Sequence, residues 1–223
     1  NPIKQAQDHD PHGRFVKRWL PHLRDVPETW LFEPWLTPPN WQTHTGQPLN
    51  ITPPIVDLAM ASYGRIDAVL NHTGHPPKGD LLAITDENWD LANDMIIKSV
   101  VRMARLVTPI MQAQGGGSIV NITTYAAFEP SLWFPASCVY RAGVSAFAKL
   151  YADRYGPENI RMNCLMPGFT DSLDVAKYGE LAALKRIGRV EEQAKAAAFL
   201  LTDDSSYVTG QSLRVDGGVT KHI

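Results

Sequence analysis

Long apolar runs, cysteines and an excess of charge of either sign are what this 223-residue chain has least of. No window approaches the roughly 18 consecutive apolar residues a membrane span requires, so no membrane partner is expected. Cys138 and Cys164 are the only cysteines, which excludes a disulfide framework as the organising device and suits a reducing compartment. With 21 Lys and Arg against 23 Asp and Glu, a formal net charge of −2, the chain carries no basic excess and no long basic run. That argues against nucleic acid or an anionic lipid surface as the partner. Asn1 opens the chain without a charged-then-apolar leader, so no signal peptide is read and a cytoplasmic location is expected. Glycine is scarce at the front, where only Gly13 and Gly46 precede residue 64.

What is present divides in two. Residues 1–60 hold ten of the 17 prolines and four of the six tryptophans. Asp10-Pro11 suits a helix start, with Phe15 and Trp19 four apart on one face, and Pro21 limits it. From Pro34 to Pro54 prolines are too frequent for regular structure, so the stretch is expected to wrap over a surface. A short helix over 55–63 ends at Gly64. His9, Asp10 and His12 fit a solvated helix cap better than a metal site, and no metal is expected.

From residue 65 short apolar runs alternate with helical periodicity. Strands are read at 66–71, 118–122, 160–165 and 212–215, and helices at 87–111, 137–155 and 190–201. Strands separated by helices imply a parallel sheet covered on both faces. The expected fold class is α/β, a truncated Rossmann-like sheet over residues 63–223. An N-terminal segment over 1–62 is expected to be mostly helical and irregular.

Five stretches carry a resemblance. They are Gly64-Arg65-Ile66-Asp67 leading to Asn71-His72-Thr73-Gly74, Gly117-Ser118-Ile119-Val120-Asn121-Ile122, and Asn159-Ile160-Arg161-Met162-Asn163 through Pro167-Gly168. Val208-Thr209-Gly210-Gln211 and Val215-Asp216-Gly217-Gly218 complete the set. In this order and spacing, residues 64–223 resemble the C-terminal two-thirds of a short-chain dehydrogenase/reductase. The resemblance implies hydride transfer between NAD or NADP and a carbonyl or alcohol. In that family a Tyr is general acid/base, a Lys lowers its pKa and binds the ribose, a Ser polarises the carbonyl, and an Asn holds a relay water.

Carried over position by position, the Lys site is Arg141, within Arg141-Ala142-Gly143-Val144, and the Tyr site four residues earlier is Ser137. The Ser site is Thr124 and the Asn site is Ile96, so none of the four is the family's residue. Tyr140 is the phenol nearest the expected place. A serine hydroxyl is too weak an acid to replace a phenol, and a lost general acid/base typically lowers the rate ~10²–10⁴-fold. Catalysis is therefore expected to be impaired. On the cofactor side the resemblance assigns Asn71, Gly74, Pro167, Gly168 and Ser172 to the nicotinamide wall. No glycine-rich phosphate turn occurs before residue 64. The retained strands match the family's fourth to seventh, which leaves the first of them as an open edge unless residues 1–60 cover it. Phe169, Leu173, Tyr178 and Leu181 offer an apolar lid. Helices 87–111 and 137–155 match those through which the family pairs subunits, so a homo-oligomer is expected.

Residues 1–60 have a resemblance of their own. Asn1-Pro2-Ile3-Lys4-Gln5, Asp10-Pro11-His12-Gly13, Phe15-Val16-Lys17-Arg18-Trp19-Leu20-Pro21 and Pro54-Ile55-Val56-Asp57 are similar to the end of a photolyase/cryptochrome flavin domain. The segments that contact flavin in that family lie mostly upstream of such a piece, so FAD is not expected. The chain reads as a join near residues 58–64, and three readings stay open. They are a divergent oxidoreductase working with Thr124, Ser137, Tyr140 and Arg141, a non-catalytic dimerising scaffold or fusion fragment, and a flavin- or photolyase-related DNA-repair protein. The charge balance and the missing flavin segments disfavour the last.

Overall fold

The structure is a computed structural model that describes residues 30–32, 52–172 and 176–222. The helix expected after Asp10, the proline-rich stretch from Pro34 to residue 51, the His9/Asp10/His12 group and Leu173 lie outside the described residues. Pro53 and Pro54, expected to be irregular, instead fall in the first turn of a helix, where a missing N–H costs nothing.

Five parallel strands form one sheet in chain order: β1 (Trp30–Phe32), β2 (Ala68–Asn71), β3 (Gly117–Ile122), β4 (Ile160–Pro167) and β5 (Ser212–Val215). The helices are α1 (Thr52–Tyr63), α2 (Asp86–Asn93), α3 (Ser99–Gln114), α4 (Pro135–Tyr155) and α5 (Val190–Leu201). Every residue of β2 is buried, as are all of β4 but its last. That is why these strands read as continuous apolar runs rather than alternating ones. One face carries Val69, Ile119 and Met162 against α1, α3 and α4. The other carries Leu70, Val120 and Leu165 against α5.

Three features depart from the sequence reading or extend it. The edge of β2 is paired: Trp30, Leu31 and Phe32 lie in parallel register with Ala68, Val69 and Leu70. Residues of the proline-rich segment thus occupy the place that an absent first strand would leave open. Helix α1 begins at Thr52, ends at Gly64 (φ +74°), and places Val56 and Ala59 in the same core as β2 and α3. The helix expected over 87–111 is interrupted, because Asp94–Lys98 forms a π turn between α2 and α3. Ser99 Oγ donates to the carbonyls of Met95 (2.7 Å) and Ile96 (3.2 Å) within it, a side chain competing for the helical ladder.

At the amino end of β4 the Arg161 guanidinium closes the far side of the sheet. Nη1 donates to Leu200 O at 3.0 Å and Ser205 Oγ at 2.9 Å, and Nη2 donates to Thr202 O at 2.9 Å. A cation at the C-terminal end of α5 satisfies carbonyls that the helix leaves open. Arg161→Met removes every one of these donors, and urea unfolding is expected to show a loss of about 2–3 kcal/mol.

Candidate active site

Because the strands are parallel, their carboxyl ends open together, at the place where open α/β sheets receive ligands. Asn71, Ile122, Pro167 and Val215 end β2 to β5 there. The loops that follow them, and the first turns of α4, surround the opening.

Arg141 holds this end together. It is 4% exposed, and its hydrogen bonds go to neutral acceptors. Nε donates to Ser137 Oγ at 3.1 Å, Nη1 to Ile122 O at 2.6 Å, and Nη2 to Thr73 O and Gly74 O, each at 3.0 Å. One side chain therefore ties α4 to the end of β3 and to the loop after β2. Burial pushes its pKa down to about 10, and no carboxylate opposes that shift. The residue at the family's lysine site is thus occupied with the protein's own backbone.

The other expected residues sort themselves around it. Ser137 lies in the first turn of α4, 6% exposed, its oxygen accepting from Arg141 and its proton left to donate. Thr124 caps the single turn Tyr125–Ala127, with Oγ1 accepting from Ala126 N at 3.3 Å. Gly74 is joined to Arg141 directly through its carbonyl. Ile96, at the asparagine site, is 1% exposed in the π turn and belongs to the apolar core. Tyr140 turns to α2, where its ring meets Trp89 edge-on at 5.7 Å. Burial and then Asp90 raise the Tyr140 pKa above the ordinary phenol value. Tyr125, the phenol beside Thr124, is raised too, first by burial and then by Cys138, Glu129 and Asp216. Both shifts run opposite to what a proton donor near neutral pH needs.

On the cofactor side, Asn71 Nδ2 donates to Asn121 Oδ1 at 2.8 Å across the sheet. Asn71 Oδ1 and Asn121 Nδ2 are buried without a partner. Pro167 ends β4 opposite Val215. Gly168 is required by close approach: a Cβ there would lie 2.8 Å from Asp216 Cα and 2.9 Å from Asp216 O. Ser172 shares a hydrogen bond of 2.8 Å with Thr170 Oγ1 at the exposed rim. The expected lid is partly assembled, with Phe169 stacked on Tyr178 (4.8 Å), Tyr125 against Phe169 (5.5 Å) and Trp133 against Tyr178 (5.1 Å). Leu181 is 46% exposed.

His72 falls within the Asn71-His72-Thr73-Gly74 stretch with no role assigned there and His75 lies outside every motif, yet both feel the charge of Arg141. Both pKa values are lowered, His72 well below 6.5, by burial first and then by Arg141. Their position directly after a strand read as buried was the one available clue.

For a dinucleotide the fit is uneven. The rim hydroxyls of Ser172 and Thr170 suit a carboxamide. A pyrophosphate needs backbone N–H donors at a glycine-rich helix start. The chain after β1 instead continues Glu33-Pro34, with no glycine before Gly46. The nicotinamide end fits the residues present, whereas the phosphate end does not. No cluster of metal-ligating side chains occurs among the described residues, and none of their helices is long and apolar enough to cross a membrane.

A parallel sheet with helices on both faces and a crevice at its carboxyl end defines a Rossmann-like α/β protein. The family model described as enoyl-(acyl carrier protein) reductase matches residues 53–220, and the chain belongs to the short-chain dehydrogenase/reductase family. Dehydrogenase/reductase SDR family member 4 of Pongo abelii is 32% identical over 180 residues, covering 76% of this chain and 65% of the relative. The 3-oxoacyl-(acyl-carrier-protein) reductase FabG of Thermotoga maritima is 34% identical over 173 residues, covering 74% of this chain and 70% of the relative. The chain thus spans about two thirds of the length of these relatives. L-sorbose reductase from Gluconobacter frateurii, solved with NADPH and L-sorbose, superposes with a TM-score of 0.72 at 27% identity over 81% of this chain and 74% of that one. A short-chain type dehydrogenase/reductase from Mycobacterium ulcerans gives a TM-score of 0.71 at 30% identity, over 78% of this chain and 69% of that one. The family model for the FAD binding domain of DNA photolyase matches residues 1–70 weakly.

Arg141→Lys keeps the charge but cannot span three carbonyls, so a loss of about 2–3 kcal/mol is expected in urea unfolding. Stability also depends on pH through His72. When unfolded it titrates near 6.5, and when folded it titrates well below. Below pH 6.5 the unfolded chain therefore binds the extra proton, and stability falls as pH drops toward the folded value, by at most about 1.4 kcal/mol per pH unit. His75 adds in the same direction. His72→Gln is expected to flatten the slope in denaturation curves recorded between pH 7.5 and 5.

Proposed function

We propose that this chain is an NAD(P)-dependent carbonyl/alcohol oxidoreductase domain whose proton-transfer step is impaired. The observation that carries the impairment is the Ser137–Arg141 pair: an aliphatic hydroxyl at the acid/base position, and a guanidinium whose donors go to Ile122, Thr73 and Gly74. Membership of the short-chain dehydrogenase/reductase family supports the reaction class, as does the neighbour solved with NADPH. When bound, the nicotinamide supplies or accepts the hydride.

This chain's own residues do the rest. Ser172 and Thr170 would hold the carboxamide at the rim, and Pro167-Gly168 with Asn71 and Gly74 would shape the wall beside it. Thr124 and Ser137 donate hydroxyl hydrogen bonds to the substrate oxygen, polarising a carbonyl without delivering a proton at neutral pH. Arg141 positions Ser137 and adds positive charge where an alkoxide develops. Tyr140 has a packing role against Trp89.

A second reading, a non-catalytic dimerising scaffold, is favoured by one observation. Leu91, Val139 and Leu150 are exposed on α2 and α4, the helices expected to pair subunits. Calorimetric titration with NADH and NADPH, together with a size determination on the same sample, separates the two. Weak saturable binding and slow NADPH-dependent reduction of simple ketones are expected. Ser137→Tyr should raise that rate ~10²-fold or more while circular dichroism stays unchanged. Absence of cofactor binding and of turnover, in both parent and variant, leaves the scaffold.

A further inference from the structure

Two large apolar side chains stay in water on the turn that leads into α4. Trp133 is 53% exposed and Leu132 77%. The turn that carries them is pinned. Ser131 N donates to Cys138 Sγ at 3.4 Å, Ser131 Oγ accepts from Trp133 N at 3.2 Å, and Ser131 O accepts from Phe134 N at 3.3 Å. The chain thus fixes an indole at a place where core packing does not use it. A held, exposed aromatic side chain of this kind is suited to binding, since it offers a large apolar face at little entropic cost.

Trp133 is one end of a continuous file of rings. Its centroid lies 5.1 Å from that of Tyr178, which stacks on Phe169 at 4.8 Å with the planes 19° apart. Phe169 meets Tyr125 at 5.5 Å, and Tyr125 meets Phe134 edge-on at 6.4 Å. The rings come from three segments that border the crevice: the loop after β3, the start of α4 and the loop after β4. The last is fixed too, since Gly188 N donates to Phe169 O at 2.8 Å and Asp171 N to Gly188 O at 3.0 Å. Both candidate oxygen donors adjoin the file. Thr124 directly precedes Tyr125, and Ser137 follows Phe134 in the first turn of α4. Acids near the file are engaged by main chain: Glu129 accepts from His222 N, Asp171 from Val190 N and Asp216 from Thr220 N. The exposed Lys177 lies over Tyr178, with Nζ 5.1 Å from the ring centroid.

We infer that the crevice takes an uncharged carbonyl compound or alcohol whose non-reacting part is an aromatic ring, seated on Trp133, Tyr178 and Phe169 with its oxygen toward Thr124 and Ser137. A further ring can join such a file by offset or edge-to-face contact, because ring faces and edges carry opposite partial charge. The wall is already assembled, so little side-chain freedom is lost on binding. A polyhydroxylated substrate finds few partners on it, and its hydroxyl groups would leave water without replacement. Trp133 is therefore a specificity-determining residue. The inference rests on the oxidoreductase reading for the fate of the oxygen. The ring site itself is measured without cofactor or turnover, so either can fail alone.

The test is isothermal calorimetry of the full chain with acetophenone, cyclohexyl methyl ketone and L-sorbose, all without cofactor. The two ketones share a skeleton and differ in the aromatic character of the ring. Saturable binding of acetophenone is expected, with a Kd of roughly 10⁻³ M for so small a ligand. It should be at least about 3-fold tighter than that of the saturated ketone. L-Sorbose is expected to bind more weakly than either. Trp133→Leu keeps an apolar side chain at an exposed position and should abolish the preference for acetophenone, whereas Trp133→Phe should retain most of it. Equal affinity for the two ketones overturns the inference, as does L-sorbose binding as tightly as acetophenone. A preference unchanged in folded Trp133→Leu overturns it too, and so does absence of saturable acetophenone binding to folded protein. Titration with NADPH decides the oxidoreductase reading separately.

Discussion

A guanidinium buried where no carboxylate meets it sets the terms for the functional end of this molecule. Arg141 has to find acceptors, and it finds them in the carbonyls of Ile122, Thr73 and Gly74 and in the oxygen of Ser137. The planar fork of arginine offers five donors in fixed directions, so its partners must come to it. The end of β3, the loop after β2 and the first turns of α4 are thereby held in one arrangement, and the crevice takes its shape from that constraint. Lysine offers a single ammonium on a flexible stem and could not impose the same geometry. The replacement changes both what the residue holds and what it leaves free for chemistry.

Arg161 repeats the solution at the opposite end of the sheet. There the guanidinium gathers the last carbonyls of α5 and the turn beyond it, and it has no chemical role to lose. Two buried arginines, each satisfied by backbone oxygens, brace the parallel sheet at its two ends. Between them the sheet follows ordinary packing, with apolar side chains on both faces and helices covering each. The edge of β2 is paired by Trp30–Phe32, which supplies a strand without supplying the glycine-rich turn that would normally follow one. The edge is closed, yet no glycine lies between Glu33 and Gly46, and pairing needs only a backbone in register whereas phosphate binding needs free N–H groups and room.

The family's chemistry divides along the same line. Polarising an oxygen needs only well-placed donors, and Thr124 and Ser137 retain them. Delivering a proton near neutral pH needs an acid of suitable strength, and both nearby phenols are shifted the wrong way. At the carboxyl end of the strands Tyr125, Phe169, Tyr178 and Trp133 form an aromatic wall.

By itself the sequence determined the alternation of strands and helices, the strand at 212–215 and the helix at 190–201, because apolar periodicity is local. It also determined the chemical identity of every residue at the family's catalytic positions. Three things were decided only by tertiary structure. Trp30-Leu31-Phe32, three residues between prolines, shows no periodicity and becomes a strand because β2 offers unpaired backbone. The π turn over Asp94–Lys98 depends on where Ser99 sends its hydroxyl. Arg141 reads as a lone cation on a helix, since its carbonyl partners lie 19, 67 and 68 residues away. Backbone acceptors carry no side-chain signature, so a contact between a side chain and distant main chain leaves no trace in the order of the residues.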